Sequence, residues 1–160
     1  MKEVVFITGA SSGIGKATAI LLAEKGYCVY GTARNPQESP EEYNLIPMDV
    51  RQESSVKEAI KKVMEKEQRI DILINNAGVG ITGALEETPI EALENAFQTN
   101  FFGAVRVIQA VLPVMRQQRK GFILNITSVA AYMGLPFRGG YSASKGALSL
   151  ITETLRMETR

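Results

Sequence analysis

The chain alternates short β-branched apolar runs with longer stretches whose apolar residues recur at helical spacing. Val4 to Thr8, Cys28 to Thr32, Leu45 to Met48, Ile70 to Ile74 and Phe122 to Thr127 read as five strands. Ile14 to Lys25 carries a helical pattern that Gly26 ends, and Glu53 to Glu67 is amphipathic, with Val56, Ile60, Val63 and Met64 on one face. The longest helical pattern runs from about Ile90 to Arg116, with Leu93, Phe97, Phe101, Val105, Ile108, Leu112 and Met115 as its stripe. Pro113 is expected to bend or shorten it. Tyr141 to Met157 reads as the last helix.

Strands alternating with helices imply βαβ units, a parallel sheet and helices on both faces. Right-handed crossovers then favour an α/β fold of the Rossmann type, a doubly wound parallel sheet in three αβα layers. No repeat or linker interrupts residues 1–160, so the chain reads as a single domain, with a solvated loop at 35–44.

Composition removes several classes of function. The net charge of +1 and the lack of any like-charge block give no electrostatic case for nucleic acid or an anionic membrane. No stretch is apolar for long enough to span a bilayer, and Val4 to Ile7 is too short for a signal peptide's apolar region, so the default location is cytoplasmic. The single cysteine, Cys28, excludes an intrachain disulfide and reads as a small buried strand residue. With no histidine, Ser-His-Asp triads, Cys-His pairs and most zinc sites are excluded, and no metal site is expected. Any acid or base must come from Tyr, Lys, Asp, Glu or Ser.

The first strand runs into Thr8-Gly9-Ala10-Ser11-Ser12-Gly13-Ile14-Gly15 at the start of a helix. Glycines there permit a tight turn and close backbone approach, the helix N-terminus presents free N–H groups to a pyrophosphate, and Ser11 and Ser12 add hydroxyl donors. The alternative is a turn that needs glycine for its geometry alone. Enzymes using NAD(H) usually place an acidic residue at the end of the second strand, on the ribose 2′-hydroxyl. Here Arg34 stands there instead, which suits a 2′-phosphate and favours NADP(H) over NAD(H), unless Arg34 is simply a solvated loop residue.

Tyr141 and Lys145, four apart on one helix face, form the candidate acid/base pair. A phenol is a poor base near neutrality, and bringing one into working range takes roughly 4 kcal/mol of preference for the phenolate. The Lys145 ammonium, an oxidised nicotinamide and the positive end of the helix could supply it. Ser128, just past the fifth strand, can hydrogen-bond a substrate oxygen. Taken singly, each of these residues has an ordinary packing, solvation or turn role.

Together the glycine loop at 8–15, Asp49-Val50, Asn75-Asn76-Ala77-Gly78, Asn100, Ser128 and Tyr141-Ser142-Ala143-Ser144-Lys145 resemble the short-chain dehydrogenase/reductase family along the whole chain. The resemblance implies hydride exchange between a nicotinamide and an alcohol/carbonyl pair. Tyr141 would be the acid/base, Lys145 its activator and a ribose ligand, and Ser128 the carbonyl-orienting hydroxyl. Asn100 would hold a water in a relay toward Lys145. Asp49 would meet the adenine amine, Val50 would line its pocket, and Asn76, Ala77 and Gly78 would shape the cofactor floor, joining Thr8, Gly9, Ser11, Ser12, Gly13, Ile14, Gly15 and Arg34. The segment from Gly83 and the Asn100-Phe101-Phe102-Gly103 run are similar to the branch of 17β-hydroxysteroid and retinol dehydrogenases, which points to a lipid-like or steroid-like substrate.

Members of that family are longer, so the C-terminal strands and the loop over the substrate are expected to be missing and the fifth strand to form an exposed apolar edge. An inactive NADP(H)-binding fragment or sensor, or a partner-binding protein retaining the fold, are the competing readings. Paired long and catalytic helices in the family imply a homodimer or homotetramer through Phe102, Val111, Val114, Leu148 and Ile151.

Overall fold

The computed structural model describes residues 2–36 and 40–159; residues 37–39 of the expected solvated loop, and Arg160, lie outside the described residues. Five strands, β1 (Val4–Ile7), β2 (Cys28–Ala33), β3 (Asn44–Pro47), β4 (Ile72–Asn75) and β5 (Phe122–Asn125), pair in parallel in the order β3-β2-β1-β4-β5. The chain winds outward from β1 to β3 and then returns to β4 and β5 on the other side. This reversal opens a crevice at the C-terminal ends of β1 and β4, where ligands bind in doubly wound sheets.

Why β1 is apolar at every position follows from the layers. Alternate side chains point to opposite faces. Val4 and Phe6 enter a core with Leu73, with Val56, Ile60 and Val63 of α2 (Glu53–Glu67), and with Val107 and Val111 of α4 (Gly103–Gln118). Val5 and Ile7 enter a second core with Val29, Ile74 and Ala19 of α1 (Gly13–Glu24). Three helical elements complete the fold: α3 (Ile90–Phe97), a π-helical segment (Gln98–Phe102) leading into α4, and α5 (Gly139–Glu158).

The structure corrects the long helix. Its buried positions are Ala96, Asn100, Gly103, Ala104, Val107, Ile108, Val111 and Met115, while Leu93, Phe97, Phe101, Val105 and Leu112 of the expected stripe are only half-buried. The π segment inserts extra backbone and turns the apolar face, and small residues then make the close contact. A Cβ on Gly103 would lie 2.7 Å from Val50 Cγ2. Nor does Pro113 shorten the helix, which continues to Gln118. The carbonyl that Pro113 leaves without an N–H belongs to Gln109, an exposed residue that water can serve.

A second correction concerns the residues assigned to an oligomer interface. Val111 and Leu148 are fully buried within the chain, and Val114 and Ile151 are half-buried; of the five, Phe102 is exposed. Cys28 is half-buried rather than buried, and burial, followed by the Glu67 carboxylate, pushes its thiol pKa up. No helix among the described residues is long and apolar enough to cross a membrane.

Candidate active site

The glycine loop is pinned from behind. Thr8 is buried, and its Oγ1 accepts from the backbone N–H groups of Asn76 (3.0 Å) and Ala77 (2.9 Å). Asn76 Nδ2 donates back to the carbonyls of Thr8 (3.1 Å) and Gly9 (2.8 Å). The turns after β1 and β4, adjacent at the reversal, are thus one rigid unit. Gly9 has φ +68°, and a Cβ there would lie 2.8 Å from Ala77 Cα. One on Gly15 would strike the Gly9 carbonyl, whereas Gly13 (φ +54°) faces open space. Ser12, the α1 N-cap, makes no side-chain capping bond, so the first-turn N–H groups remain available to an anion.

These loops wall a cleft of about 360 Å³ lined by Gly9, Ser11, Ser12, Arg34, Asp49 and Val50 among others. Arg34 is exposed at its rim and makes no ion pair among the described residues. Asp49 is gripped by Arg51, whose Nη2 lies 2.7 Å and Nε 3.0 Å from its carboxylate oxygens. The Arg51 guanidinium, helped by Arg34, holds the Asp49 carboxyl below the usual range. Arg51 was not among the expected site residues, although a basic residue two positions after an acid is a signal that could have found it.

A second cleft of about 490 Å³ shares Ile14, Asn76, Gly78 and Val79 with the first and continues it toward α5. Ser128, Tyr141 and Lys145 all line it. Tyr141 is the third residue of α5 and Lys145 lies one turn on. Ser128 is the extended N-cap of a 3₁₀ turn (Val129–Ala131), and its Oγ accepts from the Ala130 N–H at 3.2 Å. Lys145 is 4% exposed; its Nζ donates to the Ile126 carbonyl at 2.7 Å, and burial pushes its ammonium pKa down.

Asn100 is fully buried and lies behind the cleft wall. Its Oδ1 accepts from the Val79 N–H (2.8 Å), and its Nδ2 donates to the Val79 carbonyl (3.0 Å) and to Ser144 Oγ (3.0 Å). Ser144 in turn donates to the Tyr141 carbonyl. The side chain therefore ties the floor after β4 to the helix that carries Tyr141. Both amide hydrogens are used, which leaves only carbonyl oxygens for a water. A Cβ on Gly78 would lie 3.2 Å from Asn100 Oδ1 and 3.4 Å from Lys145 Nζ, so glycine lets both groups approach. Of the expected residues, Thr8, Gly13, Gly15 and Asn100 frame the two clefts without lining them; the others line one or both.

Two joined clefts of this size at the strand C-termini, with free helix N–H groups at one end and a phenol, a hydroxyl and an ammonium at the other, suit a dinucleotide. Comparison with known proteins agrees. The short chain dehydrogenase family matches residues 3–160. The chain is 46% identical over 156 residues to 3-ketodihydrosphingosine reductase of Bacteroides thetaiotaomicron, covering 98% of this chain and 58% of that protein. It is 38% identical to human retinol dehydrogenase 8, covering 98% of this chain and 54% of that one. The solved structure of ElxO with NADP bound superposes with a TM-score of 0.95 at 30% identity, over 99% of this chain and 68% of ElxO. The chain thus spans somewhat more than half the length of the two relatives.

Proposed function

We propose that this chain, which belongs to the short chain dehydrogenase family, is an NADP(H)-dependent oxidoreductase interconverting a secondary alcohol and a ketone. The observation that carries this is the convergence of Ser128, Tyr141 and Lys145 on one cleft that runs on into the glycine-loop cleft. When bound, the dinucleotide supplies or takes up a hydride at the substrate carbon. In reduction the Tyr141 hydroxyl gives its proton to the carbonyl oxygen while the Ser128 hydroxyl holds that oxygen by a hydrogen bond. The buried Lys145 ammonium favours the phenolate left behind, and a proton from solvent restores the phenol. Asn100 and Ser144 hold Tyr141 and Lys145 in register with the floor; a water on an Asn100 carbonyl oxygen would complete a relay toward Lys145.

Gly9, Ser11, Ser12 and the α1 N-terminus would hold the pyrophosphate, Asp49 and Val50 the adenine, and Arg34 the 2′-phosphate. ElxO, solved with NADP, supports that choice of cofactor. The names of the relatives support a lipid-like carbonyl substrate, and the steroid-like alternative rests on the resemblance of the segment from Gly83 and the Asn100-Phe101-Phe102-Gly103 run. We also propose a homodimer or homotetramer through the exposed surfaces of α4 and α5, which sedimentation velocity would test.

The deciding experiment is Tyr141→Phe. NADPH binding, followed by fluorescence titration, should persist, while ketone-dependent NADPH oxidation falls by at least about a hundredfold. Wild-type-like turnover would reject the assignment. Binding without turnover in the unmutated chain would favour a cofactor-binding module. Arg34→Ala should weaken NADPH about tenfold or more and leave NADH nearly unchanged; equal losses would separate Arg34 from the 2′-phosphate.

A further inference from the structure

Arg138 lines the cleft that holds Ser128, Tyr141 and Lys145, and nothing in the reaction described above uses it. We propose that Arg138 determines substrate specificity by recognising an oxyanion, a carboxylate or phosphate group, carried by the carbonyl substrate.

Charge is the first ground. Two cations, Lys145 and Arg138, and no carboxylate line this cleft among the described residues. Lys145 is buried and bonded to the Ile126 carbonyl. Arg138 is accessible to solvent and forms no ion pair among the described residues. Its planar guanidinium, able to bind two oxygens at once, is the free recognition group of the cleft.

The second ground is placement. Arg138 precedes α5 as its N-cap, three residues before Tyr141. Its N–H donates to the Leu135 carbonyl (3.1 Å), and its own carbonyl accepts from the Ser142 N–H (2.8 Å). The residue before it, Phe137, has φ +62°, a left-handed conformation that a bulky side chain rarely adopts. The Phe137 carbonyl is held by the Gly83 N–H at 2.9 Å. Strain of this kind persists where the surroundings enforce it and tends to cluster at ligand-binding positions. Here it sets the course of the chain into Arg138. A Cβ on Gly80 would lie 3.6 Å from Arg138 Nη1, an ordinary contact distance, so the guanidinium sits beside Gly80 at the cleft wall. Leu135 lines the same cleft, which gives the oxyanion's carrier an apolar surface as well.

This assignment rests on the oxidoreductase reading, and its test separates the two. Four medium-chain ketones that differ only in the terminal group (carboxylate, phosphate monoester, methyl ester or ammonium) are compared on the full chain, wild type and Arg138→Gln. For the better oxyanion form, kcat/KM for NADPH oxidation should fall about ten- to a hundredfold in the variant, through KM, with the methyl ester unchanged. The ammonium form should improve as repulsion is relieved, and Arg138→Lys should retain part of the oxyanion preference. The oxyanion showing the larger loss identifies which group the site takes. Equal changes for charged and neutral ketones, or none, would overturn the proposal. Calorimetric titration of the same compounds reads Arg138 without turnover. If no ketone is reduced, yet the wild type binds an oxyanion form more tightly than the ester and Arg138→Gln loses that margin, the reaction assignment fails and the role of Arg138 stands. No margin in the wild type would remove it.

Discussion

At the scale of the residue, the role proposed for Lys145 carries a cost in stability. The Lys145 ammonium is buried and donates to the Ile126 carbonyl, and burial lowers its pKa. The unfolded chain therefore binds more protons than the folded one between the depressed pKa and the free-lysine value, and stability should rise with pH across that window. Lys145→Met removes the charge and keeps the stem. The variant should be more stable than wild type at pH 7 by about 1 kcal/mol, with the margin shrinking as pH rises toward about 10, while turnover is lost. Urea unfolding over that pH range checks it; a margin independent of pH would place the effect in packing rather than charge.

The elements are joined by a few polar contacts between segments far apart in sequence. Asp71, just before β4, is 2% exposed, and its Oδ2 accepts from the Val4 N–H at 2.8 Å across 67 residues while Arg69 Nε donates to the same carboxylate. Burial alone would raise the Asp71 pKa; the Arg69 guanidinium and the Val4 N–H outweigh it and hold it low. A depressed carboxyl pKa stabilises the fold above the unfolded value and loses that contribution as pH falls through the folded one. Asp71→Asn should cost about 3 kcal/mol at pH 7 and progressively less below about pH 4, where the wild type loses the same interaction. Thermal or urea unfolding of both proteins at the two pH values measures this. The π segment also belongs to this scale. Helical spacing predicts one continuous helix from Ile90, in which Asn100 is discordant beside Pro113, because asparagine favours caps over helix interiors. Asn100 is buried there because its amide meets Val79 and Ser144, partners that no local pattern reveals.

Over the whole molecule, the helices cover the two sheet faces unequally. Phe122 and Leu124 of β5 pair in register with Ile72 and Ile74, on the face that α1 packs, yet they are 58% and 41% exposed. Among the described residues β5 is a sheet edge with an uncovered apolar face, the arrangement that promotes association between chains. This chain should therefore aggregate on warming. Phe122→Lys with Leu124→Lys should reduce light scattering at a given temperature severalfold, while the unfolding free energy changes by less than about 1 kcal/mol. Unchanged scattering in the double variant would locate the associating surface elsewhere.

By itself, the sequence determined the five strands, the helices between them, the glycine turn and the one-turn spacing of Tyr141 and Lys145. All of these depend on periodicity or on separations of a few residues, which the backbone repeat converts directly into geometry. Only the tertiary structure decided that Thr8 braces Asn76 and Ala77 from 68 and 69 positions away, that the Asn100 amide is consumed by Val79 and Ser144, and that Val111 and Leu148 belong to the chain's own core. It also decided that Arg138 sits beside Gly80 in the same cleft as Tyr141. Strand order and loop docking set these contacts, and a hydrophobic pattern carries no information about which distant polar groups a fold brings within hydrogen-bonding reach.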